Sequence, residues 1–104
     1  MSNVRFGESF EWNENKAELN PLKHNGITFE EATSVFEDEN AILFDDPDHS
    51  EDEDRFILLG MSNQANILIV CHCYRGANEI IRIYSARKAT PKEAKQYIEI
   101  TEGW

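Results

Sequence analysis

The sequence predicts an α+β domain in which four antiparallel strands form one sheet and helices cover one of its faces, in the order α-α-β-β-β-β-α. Three features predict it. Two stretches with helix caps open the chain, at Asn13 and Thr28. Four apolar stretches follow, joined by links such as Ser62-Asn63-Gln64-Ala65 and Arg75-Gly76-Ala77-Asn78, too short for parallel crossovers. Thr90-Pro91-Lys92-Glu93 then opens a final helix with a cap, a first-position proline and a glutamate at the third position.

The first helix is expected over Asn13 to His24. Asn13 can accept from the free N–H groups of the first turn, and Asn25-Gly26 supplies a left-handed stop. Pro21 removes one backbone bond and is expected to kink it. In the second helix Thr28 and Glu31 form a capping box, and Ile27 and Ala32 a hydrophobic staple. Phe29, Ala32, Val35 and Phe36 make one apolar stripe at helical spacing, which is core. The strands are expected at Ala41 to Phe44, Arg55 to Met61, Asn66 to Tyr74 and Glu79 to Ala86. In the last helix Ala94, Tyr97 and Ile98 are expected to face the sheet, which leaves the other sheet face open for function.

At 104 residues the chain holds one domain, with its core between about residues 10 and 98. Its longest apolar run, Ile67 to Cys71, is far too short to span a bilayer, and Met1 to Glu11 carries no signal pattern. A cytoplasmic location without membrane association is expected. Cys71 and Cys73 are too close for an unstrained disulfide, so two reduced thiols are expected. A metal shared by Cys71, His72 and Cys73 is unfavourable, because a strand points the thiols one way and the imidazole the other. The acidic run from Asp45 to Asp54 lacks the turn glycine and the closing glutamate of a calcium loop. The net charge of −10 is unevenly spread: −13 over residues 1–54, +5 over 55–98 and −2 over the last six. A basic half of this kind suits a polyanion, or equally the attraction of two halves of one molecule.

Several blocks resemble one family. Phe10-Glu11-Trp12-Asn13-Glu14-Asn15-Lys16 is similar to its opening signature, and Lys23 to Ala32 to its second block. Asp46 to Ser50, Glu53 to Phe56 and Leu59 to Ser62 resemble its middle. His72-Cys73-Tyr74-Arg75 and Arg82 to Ala89 resemble its close. The family is BrnT, the toxin half of a type II toxin–antitoxin pair. The chain departs from the usual pattern at Pro21, at the extra Asn25 before Gly26, and at Ala94-Lys95. The resemblance implies a RelE-like fold and metal-independent endoribonuclease activity on mRNA, without cofactor, that arrests growth. It also implies a BrnA-type antitoxin with a ribbon-helix-helix part, DNA being bound only through that complex. The alternative is a non-catalytic module that only binds an antitoxin in an autorepressing complex.

RNA is cut without metal when the 2′-hydroxyl attacks the adjacent phosphorus. That step needs a proton acceptor, a proton donor and cations around the phosphoryl oxygens. Arginine suits the last task through its planar fork. The expected catalytic residues are Arg82 and Arg87 on the phosphate, supported by Arg55, with His72 and Glu53 as proton carriers. Arg75, Tyr84 and Lys88 are expected RNA contacts. His72 titrates near neutrality, but a hydrogen-bonded histidine at a strand end is the competing reading. Each arginine could also be solvated or paired with the acidic half. His24 and His49 are weaker candidates.

Overall fold

The computed structural model describes residues 9–49, 53–77 and 79–102. The expected turn residue Asn78, and Ser50, Glu51 and Asp52 of the acidic run, lie outside them, as does most of the N-terminal stretch read for a leader. The elements run β1 (Ser9–Glu11), α1 (Glu14–Lys23), α2 (Phe29–Val35), β2 (Ile42–Asp45), β3 (Phe56–Met61), β4 (Ile67–Arg75), β5 (Ile80–Lys88) and α3 (Pro91–Glu102). A single 3-10 turn at Pro47–His49 follows β2.

Two expectations about the sheet are corrected. Among the described residues it has five strands in the order β1-β5-β4-β3-β2, and the first described element is a strand rather than a helix. The sheet is also mixed: β1 runs parallel to β5, pairing Ser9 with Ile80 and Glu11 with Arg82, while the other pairs are antiparallel. The four-strand meander itself is present, because short links leave antiparallel neighbours as the accessible pairing.

The expectation that the helices share one face is corrected as well. Residues alternate across a strand, so neighbours such as Leu58 and Leu59 serve different faces. Leu58, Leu68, Val70, Ile81, Ile83 and Ala86 pack with Ile27, Phe29, Ala32 and Val35, which places α2 on that face. Leu59 and Ile69 pack with Tyr97 of α3, together with Ile57, Ile67 and Cys71, on the other. Within α3, Tyr97 is buried whereas Ile98 is exposed, against the expectation that both face the sheet.

The helix ends follow the capping signals with one change. Asn13 Oδ1 accepts from the Lys16 N–H at 3.1 Å, and Asn25 and Gly26 take positive φ at the exit of α1. The helix continues past Pro21 to Lys23, with the His24 N–H bonded to the Asn20 carbonyl. Thr28 Oγ1 accepts from the Glu31 N–H, but Glu31 does not complete the box. Its carboxylate instead accepts from Ser62 Oγ at 2.6 Å and Asn66 Nδ2 at 2.8 Å, tying α2 to the β3–β4 hairpin. Thr90 and Glu93 form the full reciprocal box at α3, at 3.2 and 2.8 Å.

Side chains extend the sheet where its short outer strands stop. Beyond β1, Asn20 Nδ2 donates to the carbonyls of Ala86 and Ile27, both at 2.8 Å, and Oδ1 accepts from the Ala86 N–H. Beyond β2, Asp38 accepts from the Met61 N–H at 2.8 Å and from the Tyr97 hydroxyl at 2.6 Å. Burial pushes the Asp38 carboxyl up, but these bonds and one from Asn40 N–H outweigh it and hold it below its ordinary range. Gly60 permits this join: a Cβ there would stand 2.9 Å from Ala41 and Val35 side-chain carbons and 3.0 Å from Asp38 Oδ2.

Candidate active site

The register of β4 against β5 shifts at one point. Cys71 pairs with Ser85 and His72 with Ile83, which leaves Tyr84 as the extra residue of a β-bulge. Without it, Ile83 and Ala86 could not share a face, being three residues apart. With it, Arg82 pairs with Cys73 and Arg87 with Ile69, so both arginines stand on the α3 side of the sheet. Bulges often re-aim a side chain beside a functional site.

Tyr84 is the hub of a polar cluster. Its hydroxyl donates a short hydrogen bond to Glu53 Oε2 and lies 3.3 Å from Cys73 Sγ. The Arg55 guanidinium sits 3.8 Å from the Tyr84 ring centroid, with Lys16 Nζ at 5.6 Å and Arg82 at 5.9 Å. Arg75 Nη2 approaches Glu53 Oε1 at 3.4 Å, and its Nε lies 3.6 Å from Glu11. Arg82 Nη1 meets the same Glu11 carboxylate at 2.9 Å. Four cations from α1, β4, β5 and the start of β3 thus surround one phenol and two carboxylates.

The electrostatics follow from these contacts. The Tyr84 hydroxyl, then Arg75, Cys73 and Arg55, hold the Glu53 carboxyl below its ordinary range against the opposing effect of partial burial. Burial, then Cys73 and Glu53, push the Tyr84 phenol up, with Arg75 pulling the other way. At neutral pH Glu53 is therefore an ionised acceptor and Tyr84 a protonated donor. The ion pairs of Arg75 and Arg82 are partly open to water, with side-chain exposures of 45% and 27%. Solvent screening keeps such pairs weak, so a phosphate can displace the carboxylates.

The structure brings Arg55, Arg75, Arg82, Glu53 and Tyr84 together and leaves three expected residues outside. Arg87 shares the face of Arg82, but their β4 partners are four residues apart, a strand rise of roughly 13 Å. Its guanidinium is bound at both ends by Glu93, at 2.8 and 3.0 Å. Arg87 in turn lowers the Glu93 carboxyl to about 2, helped by the Thr90 bonds against burial. Lys88 is exposed at the end of β5. His72 lies fully buried on the α2 side, edge-on to Phe36 at 4.9 Å. Its Nδ1 faces the Val70 carbonyl at 3.1 Å and its Nε2 the Tyr74 hydroxyl at 3.2 Å. Burial lowers its pKa, so the ring is neutral. The imidazole and the two thiols do lie on opposite faces, and among the described residues no cluster could hold a metal ion. His49 pairs with Asp46 at 3.0 Å, away from the cluster.

Glu11, Lys16 and Cys73 join the cluster without having been singled out from the sequence. Glu11 and Lys16 stood inside the opening signature, and that placement was the available signal. In the sequence Cys73 stands as a reduced thiol and an unfavourable metal ligand, neither of which points to this cluster.

The model of the family described as ribonuclease toxin, BrnT, of type II toxin–antitoxin system matches residues 12–93. Among solved structures the chain is similar to the crystal structure of the Brucella abortus ribonuclease toxin BrnT. The two are 24% identical with a TM-score of 0.60, over 80% of this chain and 97% of that one. At this identity the likeness concerns the fold. Comparison with curated protein sequences gives no match.

Proposed function

This chain belongs to the BrnT ribonuclease toxins of type II toxin–antitoxin systems, and from that premise we propose that it cleaves mRNA at the Tyr84 cluster without a metal or cofactor. The observation that carries the reading is the convergence of Arg55, Arg75, Arg82 and Lys16 on Tyr84 and Glu53. Arg82 and Arg75 release Glu11 and Glu53 to take the scissile phosphate, whose oxygens match their planar forks. Arg55, stacked on the Tyr84 ring, adds charge where the phosphoryl group gains it.

Turning Arg75 and Tyr84 toward the phosphate also removes the contacts that hold Glu53 low. Its basicity then rises, and it accepts the proton of the attacking 2′-hydroxyl. Tyr84, kept protonated by its surroundings, donates to the leaving 5′-oxygen. The products are a 2′,3′-cyclic phosphate and a 5′-hydroxyl end. His72 has a packing role in this scheme, and Arg87 secures the start of α3 through Glu93. Lys88 is left as an outlying contact for longer RNA.

The same reading gives the toxin its biological role: it arrests growth in the cytoplasm until a BrnA-type antitoxin covers it, the complex alone binding DNA. Among the described residues no helix is long and apolar enough to cross a membrane. The acidic first half offers charge complementarity to a basic antitoxin segment. Induced expression in cells tests the reading. The intact chain is expected to stop growth and shorten mRNA lifetimes, and Arg82→Ala to relieve both. Growth arrest that persists in Arg82→Ala while mRNA stays intact contradicts it and favours a binding module.

A further inference from the structure

A cavity of about 490 Å³ opens beside the cluster, lined by Leu43, Glu53, Asp54, Phe56 and Tyr74. Glu53 borders both, so the two adjoin at that carboxylate, with Phe56 and Tyr74 on the α2 side of the sheet and Arg82 on the α3 side. Its volume falls in the range of small-molecule sites and accommodates a nucleotide base. Its walls combine two kinds of surface. Phe56 and Tyr74 stand 5.4 Å apart at 59°, presenting ring faces and edges, and Leu43 adds a half-exposed aliphatic wall. Asp54 is exposed, whereas the Glu53 carboxylate is engaged by Tyr84 and Arg75. A site with an aromatic wall on one side and an exposed carboxylate on the other fits a splayed RNA base better than a phosphate, which the carboxylates repel. Single-stranded RNA is read in this way, by stacking on aromatic rings and hydrogen bonding along an exposed base edge.

The carboxylate selects among the four bases. A carboxylate only accepts hydrogen bonds. Guanine offers two adjacent donors, N1–H and the N2 amino group, which match both oxygens of one carboxylate. Adenine and cytosine each offer a single amino group beside a ring acceptor. Uracil offers one N–H between two carbonyl oxygens, which a carboxylate repels. We propose that this cavity is the base-recognition subsite of the ribonuclease, taking a guanine next to the scissile phosphate through Asp54 and the Phe56–Tyr74 wall. The proposal rests on the ribonuclease reading above.

Two measurements on the intact chain keep the two readings apart. In the first, guanosine 3′-monophosphate and uridine 3′-monophosphate are titrated into the protein, followed by calorimetry. The guanylate is expected to bind at least about tenfold tighter, and Asp54→Asn to bring it to the uridylate value. Equal affinities, or a guanylate preference that survives Asp54→Asn, overturn the subsite. In the second, a pool of random single-stranded RNA is digested and the cut ends are sequenced. Cuts enriched at guanine support the subsite, and cuts without base preference count against it. A pool left uncut beside a guanylate preference that Asp54→Asn removes keeps the pocket and overturns the ribonuclease reading.

Discussion

Tyr84 and Glu53 form a donor–acceptor pair whose two pKa values are pushed apart, up for the phenol and down for the carboxyl. Acid–base partners at enzyme sites commonly differ in this way. Glu53→Gln is expected to slow RNA cleavage by about 10²-fold, since a general base contributes ~10²–10⁴-fold. Tyr84→Phe removes the hydrogen bond that does most to hold Glu53 low. The acidic limb of the pH–rate profile is expected to move to higher pH in that variant; an unmoved limb removes Glu53 as the base. His72 gives the opposite kind of prediction. Its folded pKa lies below its ordinary 6.5, so the neutral ring contributes stability that is complete above pH 6.5. That contribution is lost as pH falls through the folded value. His72→Phe is expected to retain cleavage within about threefold, a span of under 1 kcal/mol. In denaturant melts its stability relative to the unsubstituted chain should improve between pH 7 and pH 5. The arginines stand out in the sequence as candidate phosphate ligands because their chemistry is intrinsic. Their neighbours Glu11 and Lys16 were not, because 71 residues of chain separate Glu11 from Arg82.

At the scale of elements, local signals were readable and remote ones were not. The caps at Asn13, Thr28 and Thr90 act within three residues, and each is formed. The second half of the Thr28 box failed because Glu31 found stronger partners in a hairpin thirty-one residues away or more. Strand β1 has three residues, too few for an alternation to register, and it pairs with a strand distant in sequence. The bulge at Tyr84 likewise depends on the partner strand, so alternation alone does not fix the face of Arg87 near the end of β5. Two predictions belong here. Asn20→Ala leaves the Ala86 N–H and two carbonyls without their buried partner and is expected to cost about 2–4 kcal/mol in denaturant unfolding. Glu93→Gln breaks the Arg87 pair and weakens the α3 cap. Its folded pKa of about 2, against an ordinary 4.5, implies a contribution present above pH 4.5 and lost toward pH 2. Allowing for the partial exposure of the pair, about 1–2 kcal/mol is expected at pH 7. The gap between variant and parent should close as pH falls through that window.

The whole molecule joins a net charge of −10 to a local patch of four cations, and in the proposed reaction that patch is where RNA docks. The overall charge slows approach, while the cluster supplies the contacts. The charge asymmetry along the chain pointed to a basic half, and the sheet gathers Arg55, Arg75 and Arg82 from it beside Lys16 of the acidic half. Binding of single-stranded RNA is therefore expected to weaken with salt at a log–log slope of about −2, from roughly three phosphate contacts. Arg87→Ala should leave that slope in place, because Arg87 belongs to the α3 anchor. The most direct measurement is digestion of purified RNA by the intact chain and by Arg82→Ala, in the presence of a chelator. The account predicts cleavage in chelator with 2′,3′-cyclic phosphate ends, slowed at least about 10²-fold by the substitution. RNA that stays whole until metal is restored, or equal rates for the two proteins, contradicts it.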